Sequence, residues 1–176
     1  HMKRTATERG MPLVIIGEST GARLPDAMGA RGMGQLLGND PTQFRRLRET
    51  PLATAVLGPS FGSSAWLACL SDFAVMHKGA TMAVSSPRLI EMAMNEKVDL
   101  EALGGWRLHA DVTGLVDQVV DTEAEVFEAI RRFLSYLPGH NQEAPPDAPV
   151  PAGSGADMGS VVSVLPQSRT QVYDMK

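Results

Sequence analysis

Ala53-Thr-Ala-Val-Leu-Gly-Pro-Ser-Phe-Gly-Ser-Ser-Ala-Trp-Leu-Ala-Cys-Leu70 is the stretch on which the fold turns. Ala53 to Leu57 is a short apolar run of the kind that fills a buried strand, and Gly58-Pro59 punctuates it. Ala65 to Leu70 carries no charge, which predicts a helix buried nearly all round. Between the two, Gly58, Ser60, Gly62, Ser63 and Ser64 leave the backbone uncovered. A helix beginning near Gly62 presents the free N–H groups of its first turn to the same place. The turn is suited to an oxyanion, and the rest of the chain must say which.

Upstream, His1 to Gly10 reads as the second half of a helix, with His1-Met2 resembling a tag scar. Leu13-Val-Ile-Ile16 is an apolar β-branched run typical of a buried parallel strand. It runs into Gly17-Glu-Ser-Thr-Gly-Ala-Arg-Leu-Pro25, a second strand-end loop of small residues from which Arg23 rises. Ala27 to Leu37 reads as a flexible or partly helical lid, and Pro41 to Arg48 as a short helix capped by Asp40.

Downstream, Asp72 to His77 and Ala80 to Val84 are expected strands. Pro87 to Met94 is an expected helix, capped by Ser85 or Ser86 and apolar over much of its surface. Val98 to Leu103 is a short helix ended by Gly104-Gly105, and Leu115 to Val120 a strand. Thr122 and Glu125 form a capping box for a helix whose buried stripe is Val126, Ile130, Phe133, Leu134 and Leu137. Pro138 ends it. Prolines 145, 146, 149 and 151 and Gly153-Ser-Gly155 make 139–160 a linker. Val161 to Leu165 is a candidate further strand. Strands alternating with helices predict an α/β layered fold.

Composition removes several function classes. The 176 residues carry a net charge of −4 and a single cysteine. No long basic cluster supports nucleic-acid binding, and no stretch of about 20 apolar residues spans a membrane. One cysteine cannot form an internal disulfide, consistent with a reducing, cytoplasmic setting, or a mitochondrial matrix in a eukaryote. The histidines lack metal-ligand spacing, so no metal is expected.

Two chemistries fit the small-residue turn. Gly58-Pro-Ser60-Phe-Gly62 matches G-x-S-x-G between a strand and a helix, the setting of a nucleophile elbow. Its partners would be Asp99 or Asp111 with His140, or Asp72 with His77 or His109. His109 otherwise packs or caps beside Gly104-Gly105. The second chemistry is a pair of backbone oxyanion sites, at Thr20-Gly21-Ala22 and at Gly62-Ser63, which need only preorganised N–H groups. The residues alone leave both open.

Longer motifs carry a resemblance. Gly17-Glu-Ser-Thr-Gly-Ala-Arg-Leu24 resembles the "DSGGARI" loop of biotin-dependent acyl-CoA carboxyltransferases. Leu57 to Trp66, then Ser71-Asp-Phe73, resembles their "GPCAGGAVY…TDF". Glu101-Ala-Leu-Gly-Gly-Trp-Arg-Leu-His109 with Thr113-Gly-Leu-Val116 is similar to "EELGGAxxHxxxSGVA". Phe133 to Pro138 is similar to "LLSYLP", and Pro166 to Met175 to the "P…PYDM" that opens a second domain. The matches come in family order over nearly the whole chain.

The resemblance implies a crotonase-like (ClpP/crotonase) spiral of ββα units. It makes 1–138 the later part of an N-terminal domain, 139–160 a linker and 161–176 the start of a C-terminal domain, hence a fragment. It implies transfer of a carboxyl group from carboxybiotin to the α-carbon of an acyl-CoA. Gly62 and Ser63 then hold the thioester enolate, and Thr20, Gly21, Ala22 and Arg23 line the CoA side. The resemblance implies that biotin arrives on a biotin carboxyl carrier protein served by a biotin carboxylase subunit, and that the subunit is a dimer-based homo-oligomer, up to a hexamer. The related decarboxylase subunits share these motifs. Thr20 and Ser63 each stand where the family has glycine, which keeps a non-catalytic assembly subunit among the alternatives.

Overall fold

The computed structural model describes residues 2–21, 29, 49–154 and 159–173. The expected lid at 27–37 and the helix at 41–48 lie outside the described residues, apart from Gly29. The chain divides into two compact units, His1–Pro146 and Asp147–Lys176.

In the first unit the elements run α1 (Met2–Glu8), β1 (Leu13–Ser19), β2 (Leu52–Phe61), α2 (Ser63–Cys69), β3 (Phe73–His77) and β4 (Thr81–Ala83). They continue with α3 (Pro87–Met94), α4 (Leu100–Gly104), a π-helical turn Leu108–Val112, β5 (Gln118–Val120) and α5 (Glu123–Ser135). The strands form one parallel sheet in the order β1-β2-β3-β5, and β4 also pairs with β2. β2 is its spine. Ala53–Val56 pair with Phe73–Met76 of β3, and Pro59–Phe61 then pair with Thr81–Ala83 of β4.

Alternation along the strands feeds two cores. Ala53 and Ala55 face Val75, Val120 and the Val126, Ala129 and Ile130 stripe of α5, with Phe73 and Phe133 stacked at 4.8 Å. Val56 and Met76 face the other way, onto Ala65 and Ala68 of α2, Met82 and Val116. The sheet thus lies between helices, as a parallel sheet must. The capping box of α5 is present in full: Thr122 Oγ1 accepts from the Glu125 N–H, and Glu125 Oε2 accepts from the Thr122 N–H.

Several expectations change. β2 does not stop at Gly58-Pro59; it continues through Phe61. The ladder to β1 pairs Gly17 with Val56 and then Ser19 with Ser60. Pro59 therefore falls in a bulge, where its missing N–H breaks no ladder bond. α2 is not buried all round. Ala65 and Ala68 alone are buried, while Trp66, Cys69 and Leu70 are exposed. Two alanines at i, i+3 lay a short helix flat on the sheet and turn the larger side chains out. β1 is parallel as expected, but it lies at the edge of the described sheet and Ile16 is 48% exposed. No residue of α3 is buried; Ser86 caps it, its Oγ accepting from the Leu89 N–H.

In the second unit, Gly159–Val164 is a helix, α6, and not a strand. A lone β-branched segment without a partner strand satisfies its backbone by local bonding instead. Among the described residues, no helix is long and apolar enough to cross a membrane.

Candidate active site

Because the sheet is parallel, β1, β2 and β4 deliver their carboxyl ends to one place. Ser19 pairs with Ser60, and Phe61 pairs with Ala83. Thr20-Gly21 and Gly62-Ser63 leave from these ends, the position at which open α/β sheets bind ligands. Gly21 and Gly62 hold positive φ, 126° and 71°, a region closed to most side chains. Thr20 and Ser63 do not: Asn95 is the one non-glycine at positive φ among the described residues. The glycine replacements thus fall where the backbone conformation does not require glycine. Ala22 and Arg23 lie outside the described residues.

Gly62 is the N-cap of α2, with φ 71° and ψ −125° and no side-chain cap. Its N–H is shared between the carbonyls of Ala83 and Val84, each at 3.2 Å. This donor is committed to β4 and its continuation. The first intrahelical bond runs from the Trp66 N–H to the Gly62 carbonyl at 3.2 Å, so the N–H groups of Ser63, Ser64 and Ala65 are the orphan donors of the helix. Of the pair Gly62 and Ser63, the glycine shapes the turn and Ser63 keeps a free N–H.

The nucleophile reading of Ser60 does not survive the geometry. Ser60 lies inside β2, 2% exposed, and the turn comes two residues later. Most of its prospective partners are engaged elsewhere. Asp72 accepts from the Leu52 N–H at 2.8 Å, and Asp99 caps α4. His77 meets the Asp121 carbonyl and the Gly79 N–H, and His140 meets Glu143.

His109 is buried, 7% exposed, in the π-helical turn. Its Nε2–H donates to the Met82 carbonyl at 2.7 Å, and Nδ1 lies 3.2 Å from Thr113 Oγ1. The sequence pointed to packing or capping there; the i, i+4 spacing of His109 and Thr113 was the available sign of a side-chain pair. Among the described residues, no three His, Cys, Asp or Glu side chains are grouped to hold a metal ion.

The carboxyl transferase domain model matches residues 1–176. The chain belongs to that family. It is 32% identical to the uncharacterized carboxylase YngE of Bacillus subtilis, over 99% of this chain and 34% of that protein. It is 33% identical to the carboxyltransferase subunit of propionyl-CoA carboxylase of Haloferax mediterranei, over 80% of this chain and 27% of that one. It superposes on transcarboxylase 12S, a hexamer assembly solved with methylmalonyl-coenzyme A and methylmalonic acid bound. The TM-score there is 0.72 at 23% identity, covering 98% of this chain and 33% of that one. The chain thus spans about a third of the length of these relatives, and its fold is the crotonase-like fold of carboxyltransferases.

Proposed function

We propose that this chain is the acyl-CoA-binding part of a carboxyltransferase subunit in a biotin-dependent acyl-CoA carboxylase. The observation that carries the reading is the orphan Ser63 N–H, set beside a positive-φ glycine where β1, β2 and β4 end. Deprotonation of a thioester at its α-carbon places negative charge on the thioester oxygen. A preorganised N–H at that point stabilises the charge without reorganising. Of the pair Gly62 and Ser63, Ser63 is the catalytic donor and Gly62 positions it by shaping the turn. Thr20, Gly21, Ala22 and Arg23 line the CoA side.

Carboxybiotin, on a carrier protein charged by a biotin carboxylase subunit, would supply the carboxyl group, its N–CO2 bond breaking as the bond to the α-carbon forms and the biotin nitrogen ending with the proton that the α-carbon loses. The described donors account for one oxyanion, that of the thioester, and no described residue is assigned to biotin. Residues 1–138 form the later part of one domain, 139–160 the linker and 161–176 the opening of another. The subunit works as a dimer-based homo-oligomer in the cytoplasm.

Ser63→Pro tests the donor directly. Proline is at home in the first position of a helix, where its missing N–H costs no helical bond. The preceding φ 71°, ψ −125° mirrors the extended conformation that proline demands of its neighbour. The substitution therefore removes little besides the donor. In the full-length subunit with its biotin partners, we expect kcat for [14C]carboxyl incorporation into short or branched acyl-CoAs to fall about 10²–10³-fold. Ser63→Ala, which keeps the N–H, is the comparison. Undiminished transfer by Ser63→Pro eliminates the donor role. Absence of incorporation into any acyl-CoA by the parent protein eliminates the carboxylase reading, and CO2 release from a malonyl-type CoA would identify a decarboxylase instead.

A further inference from the structure

β4 is three residues long, and its two edges are satisfied in different ways. Successive carbonyls of a strand point to opposite edges. On the edge toward β2, Ala83 O accepts from the Gly62 N–H at 3.2 Å, and Val84 O shares that donor. The preceding carbonyl, Met82 O, accepts not from another strand but from His109 Nε2–H at 2.7 Å. Because a carbonyl only accepts, this bond fixes the proton on Nε2.

The other side of the ring is also held. Thr113 Oγ1 lies 3.2 Å from Nδ1 and 3.3 Å from the His109 carbonyl, and it accepts from the Leu115 N–H at 3.4 Å. Gly104 presses on the same Met82 peptide from α4: a Cβ there would fall 2.1 Å from Met82 O and 2.8 Å from its carbonyl carbon. α4 and the π-helical turn thus converge on one peptide of β4. That peptide adjoins the one that holds Gly62.

We propose that His109 is a positioning residue for the Gly62-Ser63 turn. It clamps the Met82 peptide, the clamp sets the Ala83 and Val84 carbonyls, and these hold the Gly62 N–H that fixes the direction of the Ser63 N–H. The functional consequence rests on the reading of this turn as the thioester oxyanion site; the mechanical coupling does not. The π-helical turn is what brings the imidazole to the strand edge, and such turns recur at functional positions.

The test uses the full-length protein with His109→Leu, which removes the donor, and His109→Gln, which retains an N–H at the end of the side chain. Amide hydrogen exchange of Gly62 reports the clasp, and kcat and KM for the acyl-CoA report its consequence. In His109→Leu we expect Gly62 exchange to accelerate about tenfold, while amides of β3 keep their protection. We expect kcat to fall at least tenfold with KM within about threefold. His109→Gln is expected to recover most of both.

Unchanged Gly62 exchange in a folded His109→Leu protein overturns the proposal, as do equal losses in the Leu and Gln variants. If His109→Leu does not fold, Thr113→Ala, which frees the ring at Nδ1, must still accelerate Gly62 exchange; parental protection there refutes the coupling. A parent without carboxyl transfer defeats the proposed function alone, since the exchange measurement judges His109 without it.

Discussion

Gly62→Ala isolates the energy of a backbone conformation from that of a clash. Among the described residues nothing lies within 4 Å of where the added Cβ would sit, so none of them has to move. The cost is that of holding an alanine at φ 71°, ψ −125°, which for a residue in a sparsely populated region is about 1–3 kcal/mol. Against it stands about 0.4–1 kcal/mol gained because alanine restricts the unfolded chain. Taken at mid-range, about 2 kcal/mol of strain less about 0.7 kcal/mol leaves a net destabilisation of about 1.3 kcal/mol. With a urea dependence of about 2 kcal/mol per molar, the midpoint falls by about 0.5–1 M. Urea titration followed by tryptophan fluorescence measures this, since Trp66 stands one turn into α2. A midpoint within about 0.2 M of the parent would refute the reasoning, because it would mean that the turn does not need φ near 71°.

Gly104→Ala tests the opposite case, a clash without strain in φ. The new methyl meets the Met82 backbone, and a loss of about 1–3 kcal/mol is expected from overpacking; a neutral effect on the urea midpoint would show that α4 can withdraw from β4. Met76→Ala empties a fully buried position between β3 and α2 and is expected to lower the unfolding free energy by about 2–5 kcal/mol, read from the same titration. Thr122→Ala removes the N-cap of α5 and is expected to cost about 0.5–2 kcal/mol. Exchange in the first turn of α5 should quicken while the β2 and β3 amides do not.

What the sequence made legible was whatever depends on local chemistry. Thr122 and Glu125 announce a capping box whatever the tertiary setting, and Ser86-Pro87 announces a helix start. Ala53–Leu57 reads as a buried strand because the run is short and, Thr54 apart, apolar. What it hid depends on neighbours. Pro59 ends a strand by its own propensity, and only the bulge against Gly17–Ser19 lets β2 continue through it. The uncharged run Ala65–Leu70 suggests burial on all sides, but the Ala65 and Ala68 stripe sets which face meets the sheet. Val161–Val164 favours a strand by side-chain shape but forms helix α6.

The site divides in the same way. Its small residues were visible as a pattern, and the motif order pointed to the family. The commitment of the Gly62 N–H to β4 was not visible, since the Ala83 and Val84 carbonyls carry no side-chain signature. Nor was the grip of His109 on Met82, which joins residues on separate elements.

The spine role of β2 also sets an order of assembly. Its partners β3 and β4 follow closely in the chain, through α2, and their pairing closes only short loops. β1 pairs Leu13 with Leu52 across about twice that separation, and the entropy of loop closure rises slowly with length, by about 0.6 kcal/mol per doubling. β2, α2, β3 and β4 are therefore expected to form the early nucleus, with β1 docking afterwards. The Gly62 turn matures in the first step, whereas Thr20 and Gly21 reach it only in the second. Ligand binding should thus appear later in refolding than the burial of Met76, with a lag that measures the docking of a single edge strand.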